Sequence, residues 1–255
     1  MPRLKIVPLW TVALALAVFA ATGATAQSTP PSTIQLLRSA AGAGIQGNRL
    51  EAGGRFADAL DQYTLVINFT DRALDDYGGH GIQFPARPPI AYWLAGRSHF
   101  DAARMQVRLH RSPVEVNHHL VRARQALDAV LMLDSAQAVR GRRSSTADTW
   151  KYLFLRGEIE MLRGNLAGAR EDYERVTRLN RGFTPAAEAL SFVSYAQGTS
   201  VRGTTREGLA LPPKPASSLS VAQLLDLGFD FLGLIYEKYS AEIDFAQQVT
   251  QAMLQ

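Results

Sequence analysis

Two stretches of this chain share one spacing. Gly157, Gly164, Ala169, Tyr173, Val176 and Leu179 each have a counterpart 110 residues earlier, at Gly47, Gly54, Ala59, Tyr63, Val66 and Phe69. Agreement of Gly, Gly, Ala, Tyr and Val at a single offset marks two copies of one structural unit. Each unit reads as a helix, a tight turn and a second helix. The second glycine falls where the first helix must stop and reverse, and glycine tolerates the left-handed backbone that ends a helix. The small alanine lets the two helices approach closely. Tyr, Val and then Leu or Phe follow it at i+4, i+7 and i+10, on one face of the second helix. Such a hairpin cannot shield its own apolar stripe, so neighbouring units must stack.

A degenerate third unit lies between the copies. Gly96 takes the place of Gly47 and Gly157, and Ala123, Leu127, Val130 and Leu133 repeat the offsets of the second helix. Gly96 and Ala123 are 27 residues apart, against 12 in the other copies, so about 15 residues are inserted. Ser112-Pro113-Val114-Glu115 has the form of a capping box with proline at the first helical position, which predicts that the insertion lengthens both helices. Residues 75–89, rich in Gly and Pro, read as a loop. Thr184-Pro185 predicts another helix start, with Thr184 as N-cap, running to about Gln197 and closing the stack. Residues 200–217, with Pro212, Pro213 and Pro215, form a linker to a last helix over 218–255, capped by Ser220 and Gln223. No strand-type alternation occurs, so the expected class is all-α: an α-solenoid of about three helix pairs, a capping helix and a long C-terminal helix.

The paired glycines, the small residue at the close contact and the aromatic on the second helix resemble the tetratricopeptide repeat (TPR) over residues 47–69 and 157–180. Arg156 and Glu160 depart from that pattern, standing where the family carries apolar or aromatic residues, and Arg181 stands where it often has proline. The resemblance implies a TPR-like solenoid that binds a protein or peptide along a concave face lined by the first helix of each pair. Mapping by the repeat glycine puts Asn48, Glu51, Trp93, Arg97, Phe100, Arg104, Phe154, Glu158 and Met161 on that face. Trp93, Phe100 and Arg97 are residue types that dominate interface energetics.

In the last helix, Val221, Leu225, Gly228, Leu232, Ile235, Tyr239 and Ile243 form one seam, with Leu224, Leu227, Phe231 and Leu234 beside it. Asp226, Asp230, Glu237 and Asp244 mark its polar line. A helix apolar round most of its circumference is expected to be buried on several sides, so this one should fold back on the solenoid. Its acids exclude a spanning role. Charge is also divided unevenly. Residues 96–143 hold nine Arg against four acids, and residues 217–255 one Lys against five acids. Arg97, Arg104, Arg108 and Arg111 recur on one side of their helix, which suggests a basic ridge meeting the acidic tail or an acidic partner.

The first 26 residues read as a secretory signal peptide: Arg3 and Lys5, an apolar run from Ile6 to Ala21, and an Ala24-Thr25-Ala26 cleavage site. The expected location is periplasmic or extracellular; uncleaved, the segment would be an anchor. Cleavage removes Arg3 and Lys5 and no acid, which lowers the formal net charge from +4 to +2 and gives no particular reason to expect nucleic acid. With zero Cys there is no disulfide and no thiolate metal site.

Chemical motifs are weak. Gly42 to Gly47 matches the letters GxGxxG, but the preceding residues read as helix where a dinucleotide loop needs a strand. His99, His110, His118 and His119 cluster, yet His118 and His119 point about 100° apart and no HExxH occurs, so solvated or capping histidines are expected rather than a metal site. Asn68-Phe69-Thr70 has the letters of a glycosylation sequon, but Phe69 belongs to the seam. No cofactor is expected. The leading expectation is an exported, non-catalytic interaction scaffold. The competing ones are a membrane-associated assembly factor whose C-terminal helix docks on a membrane protein complex, and an envelope enzyme with an unrecognised carboxylate or His site.

Overall fold

The computed structural model describes residues 32–79, 89–139, 146–198, 221–239 and 243. These are helical throughout apart from short turns: α1 Thr33–Ala52, α2 Phe56–Gly79, α3 Pro89–Arg108, α4 Pro113–Val139, α5 Thr146–Leu162, α6 Leu166–Leu179, α7 Thr184–Ala196 and α8 Val221–Lys238. The signal-like segment, the linker, Ser220 and Asp244 lie outside the described residues. The described residues from Thr33 onward form one compact unit that includes α8.

The repeat is visible in the contacts it makes. A Cβ placed on Gly47 would lie 2.7 Å from Tyr63 Cε1, and one on Gly157 the same 2.7 Å from Tyr173 Cε1. In the middle unit the equivalent approach is Gly96 against Leu127, where a Cβ would meet Cγ at 3.1 Å. The hairpin turns also coincide. Gly54 and Gly164 have φ of 73° and 83°, and the middle turn puts His110 in the same left-handed region at 53°. Each turn closes with a 6→1 backbone bond, from Arg55, Arg111 and Asn165 N–H to Leu50, Gln106 and Glu160 C=O. Buried Ala59, Tyr63 and Val66, and Ala169, Tyr173 and Val176, form the expected stripes, but Leu179 at the end of α6 is 51 % exposed.

The insertion lengthens both helices. Twelve residues of α3 follow Gly96, whereas five follow Gly47 in α1 and five follow Gly157 in α5. Ten separate Pro113 from Ala123 in α4, whereas three separate Phe56 from Ala59 and Leu166 from Ala169. Seven extra residues on each side are close to two α-helical turns, so both helices face their neighbours as before. Ser112 Oγ accepts a 3.3 Å bond from Val114 N–H at the start of α4, as an N-cap should.

Two boundaries differ from the sequence expectation. α2 continues to Gly79, through residues assigned to a loop, because Asp75, Asp76 and Tyr77 contain no helix breaker before Gly78 and Gly79. α7 is capped by Phe183 rather than Thr184, with no side-chain cap bond, and the proline lies in its first turn.

Consecutive helices pack as antiparallel neighbours, and the first helices touch in sequence as well, α1 on α3, α3 on α5 and α5 on α7. This is the contact pattern of an α-solenoid. Arg156 and Glu160 are absorbed by polar partners on neighbouring helices. Arg156 forms a two-pronged pair with Asp172, at 2.8 and 2.6 Å, and reaches Asp128 at 3.0 Å. Glu160 takes Arg124 and, at 2.8 Å, Asn165 Nδ2. Burial pushes the Asp172 carboxyl up, and Arg156 works against that rise. α8 packs on α5 and α7, that is, on the row of first helices.

Candidate functional site: the groove occupied by α8

Register places Asn48, Arg97 and Glu158 one residue after the repeat glycine on α1, α3 and α5, so three successive first helices present a polar residue at one level. Gly44, Trp93 and Phe154 stand one turn before them, and Glu51, Phe100 and Met161 one turn after. The extra turns of α3 add Arg104 two turns beyond Arg97. Trp93, Phe100, Phe154 and Met161 are buried in the interior, and Glu158 is 0 % exposed. Asn48 and Glu51 are half-buried.

The charged members of this row form one network. Arg97 Nε donates to Asp101 Oδ2 at 2.7 Å, and Arg104 Nη1 donates to Asp101 Oδ1 at 3.0 Å. Arg104 Nη2 also reaches Glu51. The Tyr63 hydroxyl lies 2.8 Å from Asn48 Oδ1 and 2.9 Å from Glu51 Oε2. Burial opposes charge on Arg97 and on Arg104, but the surrounding acids outweigh it and hold both guanidinium pKa values above the ordinary range.

α8 enters this network through Tyr236. Its hydroxyl accepts from Arg97 Nη1 at 3.1 Å and donates to Glu158 Oε2 at 3.1 Å. The Arg104 and Arg97 guanidinium carbons lie 4.8 and 5.5 Å from the centroid of its ring, within cation–π range. Glu158 Oε1 and the Tyr173 hydroxyl are buried without a hydrogen-bond partner. Burial pushes the Glu158 carboxyl up to about 8, with Arg97 and the Tyr236 bond pulling the other way. Burial likewise pushes the Tyr236 phenol up.

Apolar contacts seat the rest of α8. Phe231 stacks on Phe192 of α7, with centroids 4.4 Å apart and planes 15° apart. Gly228 lies so close to α5 that a Cβ there would meet Leu162 Cδ2 at 2.8 Å. Leu224, Leu232, Ile235, Tyr239 and Ile243 are buried with them. The tail therefore folds back as its apolar circumference implied. Among the described residues its charges do not do the docking: the ion-pair partners of Arg97 and Arg104 there are Asp101 and Glu51. Asp226, Asp230 and Glu237 face solvent. Arg108, further along the expected ridge, has its guanidinium 5.0 Å from the Phe56 ring centroid. Local acids meet Arg97 and Arg104 first because they stand on the same helix or on the next first helix.

The remaining candidates resolve as follows. Gly42 to Gly47 lie inside α1, which leaves no loop to cradle a phosphate. His99 is buried rather than solvated, and its Nδ1 lies 2.9 Å from His119 Nδ1, so one ring donates and the other accepts. His118 and His110 are exposed. No group of three metal-ligating side chains occurs among the described residues. A cavity of about 30 Å³ beside Asn48, Tyr63, Arg97 and Asp101 has room for a single water. Asp101 and Tyr236 escaped the sequence reading. Asp101 had a local signal, its i+4 and i−3 spacing to Arg97 and Arg104; Tyr236 stands 139 residues from Arg97 and had none.

No family model, curated protein or solved structure matches this chain. Among the described residues no helix is long and apolar enough to cross a membrane.

Proposed function

We propose that this is an exported, non-catalytic, TPR-like scaffold that holds a protein partner along its row of first helices. The observation carrying this reading is that the row already holds a helix. α8 lies on α5 and α7, and Tyr236 bonds Arg97 and Glu158, two of the residues mapped to the ligand face. The signal-like start supplies the export step and the location outside the cytoplasm. Arg97 and Arg104 in the groove are of a residue type that concentrates binding energy at interfaces.

Site-specific photo-crosslinking in the native envelope tests it. A photoreactive side chain at Asn48 or Glu51 should capture a discrete partner that one at Met132, exposed on α4, does not. Arg104→Ala should weaken that capture. Identical products from both rows, or none from the groove, would reject the scaffold assignment.

A further inference from the structure

Resting on that reading, we propose that α8 is a displaceable resident ligand, and that Arg97, Arg104 and Glu158 form a receptor for a tyrosine presented on an amphipathic helix of the partner.

The charges define the ligand's chemistry. Arg97 and Arg104 are already balanced by Asp101 and Glu51, so the groove offers no spare cation to an acidic peptide. What it offers is one guanidinium N–H that donates and one buried carboxyl that accepts, both meeting the same oxygen at 3.1 Å. An ammonium cannot accept from Arg97, a phenyl ring neither donates nor accepts, and a carboxylate would crowd a further acid against Asp101 and Glu51, which already balance both arginines. A neutral hydroxyl both donates and accepts. The guanidinium groups against the ring add the requirement that this hydroxyl be phenolic.

The seat also sets a register. Gly228, eight residues before Tyr236, allows contact with Leu162; Phe231, five before, stacks on Phe192; Leu232 and Ile235 are buried at four and one before. A fitting partner helix therefore carries a small residue, an aromatic and two apolar residues at those spacings ahead of its tyrosine.

One feature makes the resident helix replaceable. Its seat is incompletely satisfied, since Glu158 Oε1 and the Tyr173 hydroxyl are buried without partners, which a better-matched helix supplies.

Fluorescence anisotropy with a labelled peptide of residues 221–243 and the full chain tests the exchange, with circular dichroism confirming that each variant keeps its helix content. The wild-type chain should bind this peptide weakly. A Tyr236→Phe chain, whose own α8 has lost both hydroxyl bonds, should bind it about tenfold more tightly, as expected for loss of a hydrogen bond to a charged group. A peptide carrying the same Tyr236→Phe change should show no such gain. Equal binding of both peptides to the variant, or an unchanged affinity between the two chains, would overturn the receptor. If groove crosslinks to an envelope partner persist and do not respond to Tyr236→Phe, the scaffold stands and this inference falls; if groove crosslinks are absent, the scaffold reading itself fails.

Discussion

A glycine pressed against a tyrosine ring is the smallest unit of this architecture, and it recurs with the same 2.7 Å approach at Gly47 and Gly157. Alanine is the better helix former by up to about 1 kcal/mol, yet here its methyl must push a buried ring edge aside. Gly157→Ala is therefore expected to destabilise by about 1–3 kcal/mol, the usual cost of overpacking, and Gly47→Ala by a similar amount. Adding Tyr173→Leu to Gly157→Ala should recover part of the loss, because the middle unit already packs Gly96 against Leu127. Urea midpoints of the three variants check this. The pair was readable in the sequence because the same physical demand wrote the same letters twice. The third turn was not, since His110 adopts the left-handed conformation without the residue that announces it. His110→Gly should relieve that strain and raise stability by about 0.5–1 kcal/mol, whereas a loss would mean that the imidazole makes up for its backbone.

Helices α3 and α4 were lengthened by matching amounts, and the extra turns carry Arg104 and His119, which meets His99. Helix and face were legible there from period and capping; who meets whom across the longer pair was not, because sequence spacing does not encode partners on another helix. His99 is held down to about 3, by burial first and then by His119, Arg122 and His118. Burial, followed by His118, also holds His119 below its ordinary value. The groups facing the pair are Arg122 and His118 on α4, with Glu115 favouring charge on His119; Asp71 of α2 lies near Arg122. As pH falls below 6.5 the unfolded chain takes up protons that folded His99 refuses, so this contribution to stability is lost progressively toward pH 3. Glu158 acts in the opposite direction. Its folded value of about 8 lies above the ordinary 4.5, so stability falls as pH rises through that window. The two together place their joint optimum between pH 4.5 and 6.5. Urea midpoints across pH 4 to 8 should show His99→Gln flattening the acid side and Glu158→Gln the alkaline side; slopes unchanged from wild type would remove both groups from the account.

For the whole molecule, the question is which force returns the tail to the solenoid. Composition pointed to charge, with a basic middle and an acidic end, and the apolar circumference of the last helix pointed to burial. The contacts across the seam decide between them. Phe231 on Phe192, Gly228 on Leu162 and the buried Leu232 and Ile235 are apolar, while the polar link, Tyr236, is a neutral hydroxyl. Asp226, Asp230 and Glu237 remain in water, where ions screen them over about 10 Å at 0.1 M salt. Truncating Phe231 to alanine removes a ring buried to 2 % exposure and should cost about 3–5 kcal/mol. At about 2–4 °C per kcal/mol for a chain of this size, the melting temperature should fall by roughly 10 °C. Because that loss is hydrophobic, the drop should be nearly the same at 0.05 M and 0.5 M sodium chloride, at about the same value. Deleting residues 217–255 should lower the melt at both salt concentrations in the same way. A penalty that shrinks by half or more at high salt would return the docking of α8 to electrostatics, and with it the acidic tail to a direct role against the arginine row.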